Sequence, residues 1–448
     1  MAELAGVAPT TEGGREVSLD IIRGVALFGI LLMNITGFGL PYAYSDPTVY
    51  GGSEGLNLVA WLTTTVLFEG TQRGLFSLLF GAGVIVLTSR LEASGRPNAT
   101  DVYFRRNLWL VLFGLVHGYL LLWTGEILYF YGVTALFVYG FRKARPRTLL
   151  VIALAGLAFN AAWNLLDSRN GLRAFAEWQA ASAVVRSGAE LSAEQSGAIE
   201  AWEEKLEGYK PPTEKIEKDI AARQGSYFGQ LAHQAPEVSY AQSWYLYRYF
   251  FDIFSMMLIG MALYKLGLLS LGHAPGIYWK MAAIGYAVGL SVNLLEARWL
   301  LTNEFSVLAR IQAGVSYDLG RLGMITGHLG LLMLFCNSRL LPGLQRRLAA
   351  VGRMALSNYV MHTIICVIVF FGVGFGLFGQ LERYQLYFVV FAIWAFQLIA
   401  SPVWLREFRF GPLEWLWRSL TYGQRQPMRR RANPPSPPQP AAPAAASG

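Results

Sequence analysis

The stretch IIRGVALFGILLMNITGFGL, residues 21–40, carries a single charged side chain, Arg23. The hydrocarbon core of a bilayer is about 30 Å thick, and a helix needs about 20 apolar residues to cross it. The stretch therefore reads as a membrane span. Glu12 and Glu16 precede it beside Arg15, and no small-residue cleavage site follows. A retained span is expected, and not a removable leader.

The rest of the chain repeats the pattern. Of 448 residues, 54% are hydrophobic and 15% charged, against about a quarter charged in soluble domains. The 27 Phe, 22 Tyr and 13 Trp are the residues that gather in interfacial belts. A soluble fold of this composition would leave too much apolar surface in water. The expected fold class is an all-α integral membrane protein, a polytopic bundle. Apolar runs near 20–40, 73–90, 107–123, 126–141, 148–167, 245–266, 278–295, 314–337, 355–376 and 385–405 give about ten transmembrane helices. Residues 56–68 are apolar but run into Glu69, Gln72 and Arg73. They read as an interfacial helix or as part of a long second span.

The net charge of +8 does not point to nucleic acid, because the basic residues fall in short loops between apolar runs. Segments 90–106, 141–147, 265–280, 338–353 and the region from 404 are basic, whereas 40–56, 123–126, 296–306 and 376–386 hold only Arg298 and Arg383. The positive-inside rule then places both termini in the cytoplasm of a multi-pass protein of the plasma (inner) membrane. The two cysteines, Cys336 and Cys366, lie in apolar runs. Neither a disulfide framework nor a cysteine metal site is expected, and no phosphate-binding glycine loop is present.

Five regions follow: a cytoplasmic N-terminal segment 1–17, a first transmembrane half 18–167, a long extracytoplasmic loop 168–243, a second transmembrane half 244–423, and a Pro/Ala-rich tail 424–448 that reads as disordered. The hydrophilic loop should be helical, broken at Pro211–Pro212. It is either an outer cap or a tolerated insertion.

Ionisable groups inside a membrane are costly, so each is a functional candidate. The plain alternative is a residue that reaches the interface or satisfies a neighbour. Asp20 and Arg23 open the first span three residues apart and can pair; Ser18 can cap the same turn. Asn34 lies deeper and needs a partner. His117, in LVLFGLVHGYLLLW, has apolar residues on both sides and nothing in its own helix to pair with. An imidazole is the group best suited to move a proton near neutral pH. Gly114 and Gly118 beside it admit another backbone. Glu126 comes nine residues later, too far along a continuous helix for direct contact, and is expected at the mouth of the same cavity. His328 and His362 sit within spans, where hydrogen-bonded packing is the plainer role. Asp318 and Arg321 should pair. Arg353, Ser357 and Asn358 open the ninth span and, with Arg23, set basic and amide groups at the inner face, a pattern suited to phosphate. Positive-inside bias alone would also account for these arginines. His233 and His273 lie in loops and indicate nothing.

Several blocks resemble one family, the YeiB-like proteins (domain of unknown function 418). They are SLDIIRGVALFGILLMNI at 18–35, RGLFSLLFGAG at 73–83, RRNLWLVLFGLVHGYLLLWTGEIL at 105–128, GRMALSNYVMH at 352–362 and SPVWLREFRFGPLEWLWRSLTYG at 401–423. Through its LDIIRG-type opening, that family is distantly similar to a superfamily of transmembrane acyltransferases that includes heparan-alpha-glucosaminide N-acetyltransferase. The resemblance implies transfer of an acyl group from cytoplasmic acyl-CoA to an acceptor at or across the membrane, with a membrane-embedded histidine as catalyst. The family commonly has Asp where this chain has Glu126, and Gln where it has His362.

Three functions compete. The first is an acyltransferase with His117, Asp20 and Asn34 as catalytic residues and Arg23, Glu126, His328, Arg353, Ser357 and Asn358 binding substrate. His117 would act as base or acyl carrier, Asn34 and Asn358 would donate to the oxyanion, and Asp20 would orient Arg23. Acyl-CoA (acetyl-CoA) is then a co-substrate, and no cofactor is tightly bound. The second is a transporter or exporter using intramembrane His, Asp and Glu, although no inverted repeat is evident. The third is a non-catalytic scaffold. The lipid bilayer is the expected partner, and a homodimer is compatible with the sequence.

Overall fold

The computed structural model describes residues 16–93 and 99–430. The lead-in before residue 16 and the Pro/Ala-rich tail from residue 431 lie outside the described residues.

Helix α1 (Val17–Gly39) is followed by α2 (Gly55–Phe68) and α3 (Thr71–Ala93). The last two join across Gly70, whose φ of +65° suits glycine, into one stretch from Gly55 to Ala93. Residues 56–68 thus extend the second span. Helix α4 (Ala99–Leu115) ends in a π-helical turn, Val116–Leu120, and α5 (Leu128–Val138) follows a tight reversal. Helix α6 (Pro146–Arg186) continues for 41 residues, from the apolar 148–167 into the hydrophilic segment. Then come α7 (Ala193–Tyr209), α8 (Thr213–Arg223) and α9 (Tyr227–Tyr240), with the α7–α8 break at Pro211–Pro212 as expected. The second half contains α10 (Leu246–Lys265), α11 (Pro275–Thr302), α12 (Val307–Ala313), α13 (Tyr317–Asn337), α14 (Pro342–Arg353), α15 (Ala355–Phe370), α16 (Arg383–Glu407) and α17 (Pro412–Tyr422). Proline opens α6, α11, α14 and α17, where its missing N–H costs no helical hydrogen bond.

Among the described residues, six helices are long and apolar enough to cross a membrane, or seven if α14 and α15, bent by 82°, form one span. The sequence count of ten is higher for identifiable reasons. The run 126–141 forms only a short helix, Leu128–Phe141, about 21 Å at 1.5 Å per residue. The run 107–123 is interrupted by the π-helical turn. Helix α11 is long enough, but Lys280, Asn293 and Glu296 dilute its apolar character.

Segment 168–243 is a cap. Trp202 on α7 packs with Phe175 and Trp178 of α6 and with Val307 and Ile311 of α12. Arg223 pairs with Asp219 at 2.9 Å, lies over the rings of Phe371 and Phe378, and its carbonyl accepts the Gly372 N–H. The Tyr227 hydroxyl donates to the Leu120 carbonyl at 2.8 Å, fastening α9 to the end of the π-helical turn. An insertion that merely avoids the bundle would make none of these contacts.

At the opposite end, α1 and α14 cross closely. A Cβ on Gly352 would lie 1.9 Å from the Asp20 carbonyl oxygen, and one on Gly24 would lie 2.4 Å from that of Leu348. Only glycine permits this approach. It brings Arg23 and Arg353, each beside one of these glycines, to the same wall.

Candidate functional site: a basic cavity ending at a buried histidine

That wall belongs to a cavity of about 410 Å³ among α1, α3, α4, α5, α14, α15 and α17. Its lining includes Arg23, Arg90, Arg106, Arg353 and Arg418, against the carboxylates of Glu16, Asp20 and Glu414. Arg23 pairs with Asp20 at 2.9 Å, as their spacing predicts. The Arg106 guanidinium stacks 3.5 Å from the Trp417 ring, whose N–H donates to the Arg106 carbonyl. Ser18 does not cap its own turn; its hydroxyl donates to the Leu269 carbonyl.

Glu414, on the amphipathic α17, reaches the start of α15. Its carboxylate accepts from the backbone N–H groups of Leu356 and Ser357, at 2.7 and 3.2 Å, and from the Ser357 hydroxyl. A carboxylate placed there meets unsatisfied N–H groups and the positive end of the helix. Burial nevertheless pushes its carboxyl above the ordinary range, against these hydrogen bonds. The Ser357 hydroxyl also accepts from the Leu413 N–H. It is therefore engaged in the α15–α17 junction.

Tyr359 also lines the cavity. Behind it lies His117, 1% exposed, its ring edge-on to Tyr359 with centroids 4.9 Å apart. His117 Nε2 is 2.8 Å from Thr363 Oγ1, and Nδ1 is 3.6 Å from Glu126 Oε1 and, among the described residues, has no hydrogen-bond partner. The sequence expectation that Glu126 stays clear of His117 is overturned. Nine residues of continuous α-helix would separate the two by about 13 Å, but the helix ends in the π-helical turn and the chain doubles back. Leu122, buried and at φ +56°, makes the reversal, a conformation that costs a non-glycine residue of order 1 kcal/mol. Trp123 stacks on Phe38 at 3.7 Å and anchors it. Glu126 returns to cap α5, accepting from the N–H groups of Leu128 and Tyr129. A Cβ on Gly114 would lie 2.4 Å from the Tyr129 nitrogen, so this glycine does admit a second backbone.

The remaining candidates lie elsewhere. Asn358 donates to the Val351 carbonyl across the α14–α15 bend and to Ser401 Oγ, and its carbonyl accepts from Gln397. His362 bonds Gln397 at 2.9 Å in the same α15–α16 seam. His328 sits against Phe68 and Tyr286, its Nδ1 on the Met324 carbonyl. Asn34 is half-buried and, among the described residues, its side chain makes no hydrogen bond, so the partner expected for it is not found. Asp318 does pair with Arg321 at 3.0 Å, but Arg321 also grips Asp252 of α10 with both amino groups, and Arg73 lies 3.6 Å from that carboxylate. Asn160 and Asn164 of α6 donate to Asp318 and accept from Arg248. Among the described residues no three His, Cys, Asp or Glu side chains converge to hold a metal ion.

Tyr359, Thr363, Glu414, Arg90, Arg106 and Arg418 were not singled out by the sequence reading. The signal available for two of them was spacing: Tyr359 and Thr363 are four apart and share a helix face.

A family model described as "Protein of unknown function (DUF418)" matches residues 263–424. The chain is 31% identical over 419 residues to the uncharacterized protein YeiB of Escherichia coli (strain K12), covering 91% of this chain and 96% of that one. It belongs to the YeiB-like DUF418 family. YxaH of Bacillus subtilis (strain 168), also uncharacterized, is 30% identical over 451 residues, covering 96% of this chain and 99% of that protein. A 39.9 kDa protein from the amylase 3′ region of Bacillus acidopullulyticus is 25% identical over 420 residues, covering 92% and 95%. No solved structure matches the chain. Among DUF418 proteins, the present chain thus has near end-to-end relatives, and its matched family region begins within α10 and ends just past α17.

Proposed function

We propose that the protein is a membrane-embedded acyltransferase that passes an acyl group from acyl-CoA to an acceptor. The observation that carries this reading is one cavity lined by five arginines and by apolar side chains, with a buried imidazole–carboxylate pair packed behind Tyr359 of its lining. Guanidinium groups bind phosphates through paired N–H donors, which suits the nucleotide end of CoA. Leu79, Phe80, Val84, Leu110 and Leu128 line the path inward and suit the pantetheine and acyl chain. His117 is the proton-moving group, with the Glu126 carboxylate beside Nδ1. In this reading the basic end faces the cytoplasm of the plasma membrane and the cap lies outside. Asn358 is held in the α15–α16 seam by Val351, Ser401 and Gln397.

The test is CoA release from acetyl-CoA by detergent-purified full-length protein, with water as slow acceptor, wild type beside His117→Ala. Release that disappears in the variant supports the reading; equal rates in both remove His117 from the chemistry.

Transport is the second reading. The buried network of Arg73, Asp252, Arg321, Asp318 and Arg248 across α3, α10, α13 and α6 favours it, because such groups also line ion paths. No CoA release, together with no thermal stabilisation by any acyl-CoA, moves the assignment there.

A further inference from the structure

Both ring nitrogens of His117 face protein groups: Nδ1 faces Glu126 at 3.6 Å and Nε2 meets Thr363 Oγ1 at 2.8 Å. An acceptor arriving through the cavity would find neither nitrogen open. What the imidazole is arranged to activate is the hydroxyl of Thr363.

That hydroxyl does not return to its own helix. A buried Ser or Thr in a span ordinarily returns its hydroxyl to the carbonyl four residues back. Ser77, Thr88, Thr326 and Thr421 do so at 2.9, 2.8, 2.9 and 2.7 Å, whereas Ser357 and Ser401 turn to side chains of other elements and, among the described residues, Thr134 and Ser255 have no hydroxyl partner. Thr363, 1% exposed in the middle of α15, instead reaches across 246 residues of sequence to the imidazole of the α4 region. Packing alone does not call for this, since the Tyr359 carbonyl is always within reach of a helical Thr363. The order carboxylate, imidazole and hydroxyl is the arrangement in which a base activates a weak oxygen nucleophile. With Glu126 on the Nδ1 side, the proton of a neutral ring is favoured at Nδ1, which leaves Nε2 as acceptor. Thr363 is also one helical turn beyond Tyr359, which lines the cavity, on the same face of α15.

We propose that Thr363 is the nucleophile of this site and carries the acyl group as an Oγ1 ester between donor and acceptor. The proposal rests on the acyl-transfer reading above. In the first half, Thr363 Oγ1 bonds to the thioester carbonyl carbon as its proton passes to His117 Nε2. The carbon–sulfur bond then breaks, and CoA leaves as the thiol with that proton. In the second half, an acceptor hydroxyl or amine gives its proton to Nε2 and attacks the ester carbonyl. The carbon–Oγ1 bond breaks, and Thr363 recovers its proton from Nε2. The acceptor class is therefore a nucleophile with a removable proton, and water serves in its absence.

The experiment uses full-length protein in detergent with acetyl-labelled acetyl-CoA, comparing wild type, Thr363→Val, Thr363→Ser and His117→Ala. The expected result is acetyl on the Thr363 peptide of the wild type, released by hydroxylamine and absent from Thr363→Val and His117→Ala. CoA release should fall at least about 100-fold in Thr363→Val and stay within about tenfold in Thr363→Ser, which keeps the hydroxyl. Matching melting curves for the two Thr363 variants establish that the loss is not one of folding. A folded Thr363→Val that releases CoA at the wild-type rate overturns the proposal, while loss in His117→Ala alone leaves the acyltransferase reading standing. Acetyl recovered on His117 has the same meaning. No release and no labelling in wild type overturns both.

Discussion

Two of the protein's concentrations of charge are built on different rules. Beneath the cap, Arg73, Arg248 and Arg321 meet Asp167, Asp252 and Asp318, with Asn160 and Asn164 bridging them. Cation and anion balance there, and α3, α6, α10 and α13 are tied together through them. Around the cavity, five arginines face three carboxylates beside about 410 Å³ of open volume. The first cluster neutralises itself; the second, among the described lining residues, sets arginines and carboxylates beside space that a ligand can fill.

The comparison can be broken most directly at Asp252. Replacing it with Ala leaves Arg321, 1% exposed at its side chain, without its two-pronged partner. Removing one member of a buried pair costs about 3–5 kcal/mol, so Asp252→Ala should be recovered in low yield with a strongly reduced detergent melting temperature. Retained stability would mean that the network is not structural. Next in size is Gly352→Leu. Even its Cβ meets the Asp20 carbonyl oxygen, and separating α1 from α14 should cost about 1–3 kcal/mol, with loss of any acyl-CoA stabilisation in the same melting assay.

The cavity arginines should behave in the opposite way. Arg23 is partly exposed and its pair with Asp20 spans one helical turn, so Arg23→Gln should change stability by less than about 1 kcal/mol. Loss of a charged contact to phosphate is expected to raise the KM for acetyl-CoA about tenfold. A stability loss with unchanged KM would place Arg23 with the structural cluster. The smallest effect is expected at Glu414, whose carboxyl burial raises. A raised folded value means that the neutral carboxyl contributes stability at low pH and that this contribution is lost as pH rises through the folded value. The melting-temperature difference between wild type and Glu414→Gln should therefore turn against the wild type with rising pH. A pH-independent difference would show that the junction is indifferent to that charge.

What could be read from sequence was what is local or repeated. The all-helical class follows from apolar runs, and the Asp20–Arg23 pair from a spacing of three. His117 follows from its isolation among apolar neighbours. Contacts made by chain reversal or distant packing left no such mark. Glu126 reaches His117 only because Leu122 adopts a left-handed conformation, and nothing in the letters WTGE gives the direction of that turn. Asp252 lies 69 residues from Arg321, beyond any helical periodicity. The hydrophilic segment 168–243 was legible as helix, but the choice between cap and tolerated insertion stayed open, because its anchors are Gly372, Phe371 and Phe378 in another part of the chain.

The π-helical turn at Val116–Leu120 has a consequence for length as well as geometry. Such a turn holds one residue more than a regular α-helical turn of the same rise. A residue lost from or added to it could be absorbed only by rebuilding the turn that carries His117 and leads into the reversal at Leu122. Glu126 meets the imidazole only through that turn and the reversal that follows it. This stretch should tolerate many exchanges of apolar side chains and no change in their number.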